Sequence, residues 1–410
     1  MLRNAVVAAV SAVFAVVLSL AAAPAAAQNI KIAVLGPMAF IQGEYHWAGA
    51  EMARDEINKA GGISVGGRKR LVELVRVDTN EMTSVPDATN AMERAITRDK
   101  ADFVIGGFRS EAVVAMQEVA MDNKKIFLGN GASLSKLGAN VEADYNRYKY
   151  WFRVSPTKDV DLGRTVFAVL ASVGDQIRKD LKKDSPKVAI LAEKAAWTEG
   201  LTAAAQKALP GLKMDVVGVW QPSAVATDVT AELAAIDRSG ADLVFTLLSG
   251  PVGVVAGRQM GERNMKAVAF GINVEAQKDE FWTATAGKGQ YVATLDTYGE
   301  VDMTPSMVAF VKAFKERYKK DPTYTAATYD SVYIIKEAVE KAGTLDADKL
   351  VPVIEQSEHA GTGSILTWDK RHDPVWAVGK TAGIAVQWQN GKKVPFWPTG
   401  VKGMQPFKMP

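Results

Sequence analysis

The chain has 410 residues, of which 49 are Lys or Arg and 46 are Asp or Glu, so its formal net charge is +3. This balance supplies no basic field for gripping nucleic acid, and we therefore expect no nucleic-acid partner. The sequence contains no cysteine, which excludes disulfide bonds, a thiol nucleophile and a lipid anchor carried on cysteine.

The N-terminal residues have the pattern of an export signal. Arg3 precedes an apolar run that extends to Ala23, and Ala25-Ala26-Ala27 offers a small-residue cleavage pattern with a mature start near Gln28. A membrane-spanning segment is the alternative interpretation, but no basic stop-transfer flank follows the run. We therefore expect a signal peptide over residues 1–27 and a free, soluble protein in a bacterial periplasm. The remainder exceeds the roughly 100 to 200 residues of one usual domain, which predicts two domains.

Short apolar runs alternate with helical spacings in the first part of the chain. The predicted strands are Ile32–Leu35, Leu71–Val77, Asp102–Gly106 and Ile126–Leu128, and the predicted helices end at Ala60 or cover Val85–Arg98 and Glu111–Asp122. Strands that alternate with helices of this length predict a parallel sheet covered on both faces.

The alternation restarts after Trp151-Phe152-Arg153 and predicts a second lobe. Its predicted elements are helices over Lys158–Leu181, from Glu199, over Asp228–Arg238 and after Pro251, with strands at Val188–Ala192, Met214–Trp220, Asp242–Leu247, Ala267–Phe270 and Tyr291–Leu295. Three helices without intervening strands follow and are expected to cover the first lobe, namely Pro305–Tyr318, Thr325–Ala342 and Asp346–Gln356. Asn390-Gly391 predicts a terminal hairpin.

Two stretches share one pattern, an Ala-Asp lead, an apolar run and a polar turn that opens a helix. They are residues 101–111, which end in Phe108-Arg109-Ser110-Glu111, and residues 241–251, which end in Ser249-Gly250-Pro251. In open parallel sheets, ligands bind beyond the carboxyl ends of the strands, where helix N-termini favour an anion. Two such edges that face each other would form a cleft, with Ser110 as the predicted N-cap of its helix.

An ordered set of short motifs carries a resemblance to a known family. The motifs are Lys31-Ile32-Ala33-Val34-Leu35-Gly36, Gly49-Ala50-Glu51, Ile57-Asn58-Lys59-Ala60-Gly61-Gly62-Ile63, Val104-Ile105-Gly106, Glu199-Gly200-Leu201 and Leu366-Thr367-Trp368-Asp369. In this order the chain resembles the solute-binding receptors of ABC importers, specifically the leucine/isoleucine/valine-binding branch.

The resemblance implies an α/β fold of type I periplasmic binding proteins, with two doubly wound parallel-sheet lobes joined by three crossovers near Ser155, Thr297 and Thr367. Lobe 1 would comprise residues 28–155 plus 297–367, and lobe 2 residues 156–296 plus 368–410. The lobes would close on one small carboxylate-bearing ligand, and the monomer would deliver it to an ABC permease in the inner membrane. No cofactor, metal or catalytic residue is expected.

The resemblance also implies candidate ligand-binding residues. Ser110 corresponds to the serine that holds the ligand's carboxylate, and Gly131 and Ser133 to the loop that binds its carboxylate and amine. Trp197 stands where the family has a ring over the ligand, and Gln42 where it has a first-lobe contact. Two further positions depart from the family: Ser249 replaces an aromatic residue, and Asn273 replaces a ligand-facing acid.

Asn273 bears on the class of ligand, because in amino-acid receptors the acid neutralises the ligand's ammonium group. Without that acid an α-amino ligand would lose its partner in a closed cleft, which favours simple organic or aromatic acids, unless Glu275 substitutes. Arg109 could pair a carboxylate, with a solvent-facing arginine as the alternative. Phe108 is either part of the cleft or part of the core, as is the nearby group Tyr45, His46 and Trp47.

Two other classes of protein are alternatives. An exported hydrolase needs a nucleophile with a base or a metal set, but His46, His359 and His372 lack metal-ligand spacing and no Gly-x-Ser-x-Gly elbow is present. A sensory module that delivers ligand to a membrane receptor shares the expected fold and stays open at this point.

Overall fold

A computed structural model describes residues 28–410, so the predicted signal peptide lies outside the described residues. The strands are β1 Ile30–Gly36, β2 Ile63–Val65, β3 Arg68–Arg70, β4 Val72–Asp78, β5 Phe103–Gly106, β6 Phe127–Gly129, β7 Trp151–Arg153, β8 Lys187–Ala192, β9 Asp215–Trp220, β10 Leu243–Leu248, β11 Val268–Asn273, β12 Ala293–Asp296, β13 His359–Ala360, β14 Ile365–Leu366, β15 Ile384–Gln389 and β16 Lys392–Trp397. The α-helices are α1 Ile41–Lys59, α2 Val85–Thr97, α3 Ser110–Asp122, α4 Lys136–Ala143, α5 Tyr145–Tyr148, α6 Asp159–Leu181, α7 Ala196–Ala208, α8 Thr230–Ser239, α9 Val252–Glu262, α10 Glu280–Ala284, α11 Met307–Tyr318, α12 Thr328–Ala342 and α13 Ala347–Glu355. Within this part of the chain, no helix is long and apolar enough to cross a membrane.

The first sheet has five strands in the order β4-β1-β5-β6-β7, and every neighbouring pair is parallel. The carboxyl ends of all five strands therefore lie along one edge, and the loops after them carry Phe108 and the segment after Gly129. The predicted parallel sheet is confirmed. The alternation of strands and helices indicates a parallel sheet because neighbouring parallel strands need long connections, and these helices cover the faces of the sheet.

The second sheet repeats this arrangement with four parallel strands in the order β11-β10-β8-β9. A separate antiparallel sheet, β12-β15-β16, contains the predicted terminal hairpin around Asn390-Gly391. This sheet lies beside the second one, because the backbone N–H of Asn273 in β11 donates to Thr294 Oγ1 in β12 at 2.9 Å.

Separate apolar cores underlie the two parallel sheets. The strands of the first sheet share a core with α12 and α13, whose Ile335 and Leu350 are buried in it, as predicted for helices that cover the first lobe. The second core packs α6 against β8 and β10. Helix α11 packs its Phe310 and Phe314 on Tyr45 of α1, a helix of the first lobe, and in addition on strand β15.

Three boundaries also differ from those predicted. Ser110 is the first residue of α3 rather than its N-cap, because Arg109 holds the extended cap conformation. Helix α7 begins at Ala196, before the predicted Glu199, after an extended Ala195. Strand β11 runs on to Asn273, whose side chain accepts from the N–H of Ala276 and so begins a short 3-10 turn over Val274–Gln277.

Arg153 ties the first sheet to the loop that follows β6. Its guanidinium is fully buried and bonds Asp373 Oδ1 at 2.6 Å, the carbonyl oxygen of Leu134 at 2.9 Å, and the carbonyl oxygen of Ala132. A buried charge pair of this kind is held by geometry and additional hydrogen bonds, and removing one member leaves the other uncompensated. The loop from Gly131 to Leu134 is thereby fixed in place.

We predict that Arg153→Met lowers the free energy of unfolding by about 3 kcal/mol, because it leaves Asp373 buried with only Lys158, 3.7 Å away, as a cationic neighbour. Arg147→Met is the matched control, since Arg147 pairs with Glu118 and Asp122 at the surface and should contribute little. Urea unfolding measures both variants. Equal stability of the two would contradict the assigned role.

Candidate ligand-binding site

A cavity lies where the carboxyl edges of the two parallel sheets approach each other. It contains about 970 Å³ of empty space, part of which is continuous with solvent. Helices α3 and α7, which start beside it, approach each other across the gap. The main groups of lining residues are Phe108 to Glu111, Gly131, Ser133, Val154 to Thr157, Trp197, Ser249, Ile272, Val274, Gln277, Leu295 to Thr297 and Tyr324.

Most of the residues predicted for the site come together on this cavity. The seven that line it are Phe108, Arg109, Ser110, Gly131, Ser133, Trp197 and Ser249. Gln42 and Asn273 do not line it, although both are buried nearby. Seven of the predicted residues thus form the cavity wall, and the other two lie in a layer of buried residues behind it.

On the first-lobe wall, Ser110 is free to donate a hydrogen bond. Its Oγ accepts from the backbone N–H of Leu134 at 3.3 Å, which leaves its hydroxyl hydrogen available for a ligand. Gly131 permits close packing of the same wall, since a Cβ there would lie 2.2 Å from the carbonyl oxygen of Gly107. Ser133 is buried beside them and also lines the cavity.

A carboxylate of the protein itself occupies the turn before α3. Glu81 is buried and accepts from the backbone N–H groups of Phe108 at 2.9 Å and Arg109 at 2.8 Å, and from Thr79 Oγ1 at 2.8 Å. Burial raises the pKa of Glu81, and these hydrogen bonds oppose the rise. The N–H groups of this turn are therefore not all left for a ligand, contrary to the expectation from the helix start.

In the second lobe, a buried carboxylate likewise binds the turn before α9. Glu193 is fully buried and accepts from the backbone N–H groups of Ser249 at 2.7 Å and Gly250 at 2.9 Å, and from the hydroxyl of Ser249. It also accepts from Trp197 Nε1 at 3.2 Å, which fixes the indole against the cavity. Ser249 thus lines the cavity with its hydroxyl hydrogen already committed.

Arg109 and Phe108 have partners within the protein. The guanidinium of Arg109 pairs with Glu111, with Nε 3.1 Å from Oε1. Its charge on the wall is therefore largely compensated before any ligand binds. Phe108 is only 4% exposed and packs into the second core, so it bridges the two lobes as well as lining the cavity.

Asn273 and Gln42 belong to the layer behind the second-lobe wall. Asn273 Nδ2 donates to the carbonyl oxygen of Gly253 at 3.1 Å, so its amide faces α9. Gln42 Nε2 donates to the carbonyl oxygen of Ser249 at 3.2 Å and to Glu275 Oε1 at 3.0 Å. Glu275 also pairs with Lys278, and neither it nor Asn273 lines the cavity. The alternative that Glu275 substitutes for the ligand-facing acid is not seen in this structure.

The group Tyr45, His46 and Trp47 is part of α1 and does not line the cavity. The Tyr45 ring is fully buried and stacks on Phe314. His46 is buried beside the carbonyl oxygen of Asn130, 3.1 Å from Nε2, and burial lowers the pKa of its imidazole to about 4. These residues serve the core.

Three residues that line the cavity were not predicted from the sequence, namely Asp296, Gln277 and Tyr324. Asp296 ends β12 just before the predicted crossover at Thr297, so a carboxylate at a strand end was an available signal. Gln277 and Tyr324 carried no signal, because each is brought to the cavity from a short 3-10 turn far along the chain. Over residues 28–410, no cluster of acidic or histidine side chains has the geometry of a metal site.

Comparisons with known proteins agree with this geometry. Residues 29–384 match a family model described as "Periplasmic binding protein". An "Amino acid binding protein" of Pseudomonas aeruginosa is 28% identical over 350 residues, covering 84% of this chain and 87% of that protein.

Two solved structures show the same fold. A solute-binding protein of an ABC transporter from R. palustris, in complex with benzoate, has a TM-score of 0.72 at 21% identity, covering 92% of this chain and 99% of the other. A branched-chain amino acid transporter substrate-binding protein from Streptococcus pneumoniae, in complex with isoleucine, has a TM-score of 0.73 at 20% identity, covering 92% of this chain and all of the other.

We predict that Glu193→Gln lowers the free energy of unfolding by about 1.5 to 3 kcal/mol for each charge-assisted hydrogen bond that it breaks. An amide keeps one acceptor oxygen but turns an NH₂ group toward backbone donors. Glu199→Gln, an exposed change in the first turn of α7, is the control. Chemical denaturation measures the stability of both variants. An unchanged free energy of unfolding in Glu193→Gln would show that the Glu193 carboxylate does not stabilise the turn before α9.

Proposed function

Because the chain belongs to the periplasmic binding protein family, we propose that it is the solute-binding receptor of an ABC uptake system. In this proposal its two lobes close on one small carboxylate-bearing ligand, an amino acid or an aromatic or organic acid. Ligand-loaded protein then docks on a permease of the inner membrane. The chain acts as a binding protein rather than as an enzyme.

The observation that carries the proposal is the cavity between the two parallel-sheet edges. Its first wall offers the free hydroxyl hydrogen of Ser110 beside Ser133, which suits a carboxylate. Its second wall offers the indole of Trp197 with Ile272 and Val274, which suits an apolar ligand body. A few polar groups in a mainly apolar, concave site are typical of small-molecule binding.

The relatives narrow the ligand class. Their names include binding of leucine, isoleucine and valine, and two structural neighbours hold isoleucine and benzoate. All these ligands carry a carboxylate next to an apolar body, which matches the two walls of the cavity. The family match also favours a receptor over the exported hydrolase.

The lobes, location and assembly are part of the same proposal. Lobe 1 comprises residues 28–155 and 297–367, and lobe 2 residues 156–296 and 368–410. The receptor works as a monomer in the periplasm after removal of residues 1–27. The hydrogen bonds from Gln42 to Ser249 and Glu275 join the lobes in the closed form, and these contacts would break on opening.

We expect ligand binding to compact the protein without consuming the ligand. Contacts between the lobes are favoured when the cavity is filled, because the ligand binds the closed form better. Small-angle scattering of the purified protein, with and without phenylalanine, leucine, benzoate and phenylpropionate, should show a smaller radius of gyration with the probes that raise the melting temperature. Loss of a probe from the mixture would instead indicate an enzyme.

We expect Ser110→Ala combined with Ser133→Ala to weaken binding of the best probe by about 1.5 to 3 kcal/mol for each hydrogen bond lost to the ligand's carboxylate. Calorimetry measures the affinity, and a melting curve checks that the fold survives. Ser239→Ala, at the far end of α8, is the control for a lost serine hydroxyl. Unchanged affinity of a stable double variant would remove both serines from the site.

A further inference from the structure

Two buried oxygen atoms on the cavity wall lack hydrogen-bond donors. Within residues 28–410, Asp296 Oδ2 and Gln277 Oε1 have no partner, and both side chains are only 4% exposed. Both residues line the cavity. Because a buried acceptor without a donor is costly, such atoms in a binding cavity indicate that the ligand supplies the donor.

Each of these side chains is held by its other polar atom. Gln277 Nε2 donates to the carbonyl oxygen of Leu295 at 2.9 Å. Only a nitrogen can face that carbonyl, so the free atom of the amide is the oxygen. Asp296 Oδ1 accepts from the backbone N–H groups of Thr297 at 2.7 Å and Tyr298 at 3.4 Å. The contact with Leu295 brings the Gln277 amide to the backbone of the residue that precedes Asp296, and both side chains line the same cavity.

The other carboxylates around the cavity already have partners. The Glu193 carboxylate accepts four hydrogen bonds. The Glu275 carboxylate accepts a hydrogen bond from Gln42 and forms a salt bridge with Lys278. On the opposite wall, Glu111 Oε2 also lacks a hydrogen bond, but its Oε1 pairs with Arg109. Asp296 differs because, among the described residues, no cation forms a salt bridge with it, and the same cavity holds a second free acceptor, Gln277 Oε1.

We propose that Asp296 and Gln277 form an acceptor site for a donor group of the ligand, an ammonium or a hydroxyl. The inference rests on the proposed function and narrows its ligand class to acids that carry such a donor. The carboxylate expected at Asn273 is thus supplied from β12 instead. The absence of an acid at position 273 does not exclude an amino acid.

The ionisation of Asp296 supports this assignment. Burial raises the pKa of Asp296 to about 7, although the ammonium of Lys393 and the N–H groups of Thr297 and Tyr298 act in the opposite direction. The protein by itself therefore solvates this carboxylate incompletely. A donor from the ligand would provide the missing stabilisation.

The test compares acids that differ only in the donor. Calorimetry measures binding of phenylalanine, 3-phenyllactate and 3-phenylpropionate, and of leucine, 2-hydroxy-4-methylpentanoate and 4-methylpentanoate. In the unmodified protein the amino or the hydroxy acid should bind more tightly than the plain acid by on the order of tenfold to a hundredfold. Preference for the amino acid would identify an ammonium site, and preference for the hydroxy acid a hydroxyl site.

Variants assign the preference to these residues. Asp296→Asn keeps the acceptor for Thr297 but removes the charge, and Gln277→Met removes the amide oxygen. Each should bring the ratio between the donor-bearing acid and the plain acid toward one. Glu275→Gln is the matched control, because it neutralises a buried acid outside the cavity and should shift both members of a pair equally.

Several results would overturn the inference. They are tighter binding of the plain acids to the unmodified protein, a ratio that Asp296→Asn and Gln277→Met leave unchanged, or a ratio lost only in Glu275→Gln. A melting curve shows which variants are folded. If Asp296→Asn does not fold, the binding ratio measured with Gln277→Met tests the acceptor site by itself. Failure of every acid to bind would reject the proposed function too, whereas equal binding of all three acids would reject only the acceptor site.

Discussion

Backbone N–H groups at the carboxyl edge of a parallel sheet need partners, and here two buried carboxylates meet that need. Glu81 binds the turn before α3, and Glu193 binds the turn before α9. Since each acid comes from the loop after a different strand, each ties two loops of its lobe together. The rest of the site depends on this, because Phe108, Arg109, Trp197 and Ser249 are all positioned by these two acids or by the turns they hold.

This use of protein carboxylates changes how a ligand is recognised. A bare helix start would offer an anion its N–H groups and the positive end of its dipole. Here Glu81 and Glu193 already accept part of these N–H groups, so in the proposed function side chains such as the Ser110 hydroxyl carry more of the recognition. Contacts between the lobes then set the energy of closing. Gln42 Nε2 on α1 donates to the carbonyl oxygen of Ser249 at 3.2 Å and to Glu275 Oε1 at 3.0 Å, both on the opposite lobe.

The sequence predicts the fold well, because the evidence for it is local. Each strand is a short apolar run, each helix has its own spacing, and Asn390-Gly391 specifies a hairpin within two residues. Ser110 lines the cavity as its place at a helix start predicts, whereas Trp197 was indicated only by the resemblance to the family, because its helix was predicted to begin at Glu199. Asp296 carried one signal, a carboxylate at a strand end, but its surroundings depend on pairing of β12 with β15, some ninety positions later in the chain. Gln277 carried none, because only the packed structure brings its 3-10 turn to the carbonyl oxygen of Leu295. Asn273 does not line the cavity, because its amide is turned to the carbonyl oxygen of Gly253, a contact that only the packed helix α9 reveals.

The positions of the buried charges near the second-lobe wall explain why Asp296 has no cation in contact. Lys393 is buried there, with Nζ 3.4 Å from Asp321, 3.6 Å from Asp279 and 2.5 Å from the carbonyl oxygen of Gln277. One ammonium group thus serves two carboxylates and a carbonyl, and it is not in contact with Asp296. Buried charges are stable only when they are paired or hydrogen-bonded. A cavity that contains such a carboxylate favours closure on ligands that bring a donor, so selectivity follows from the same burial that holds the lobes together.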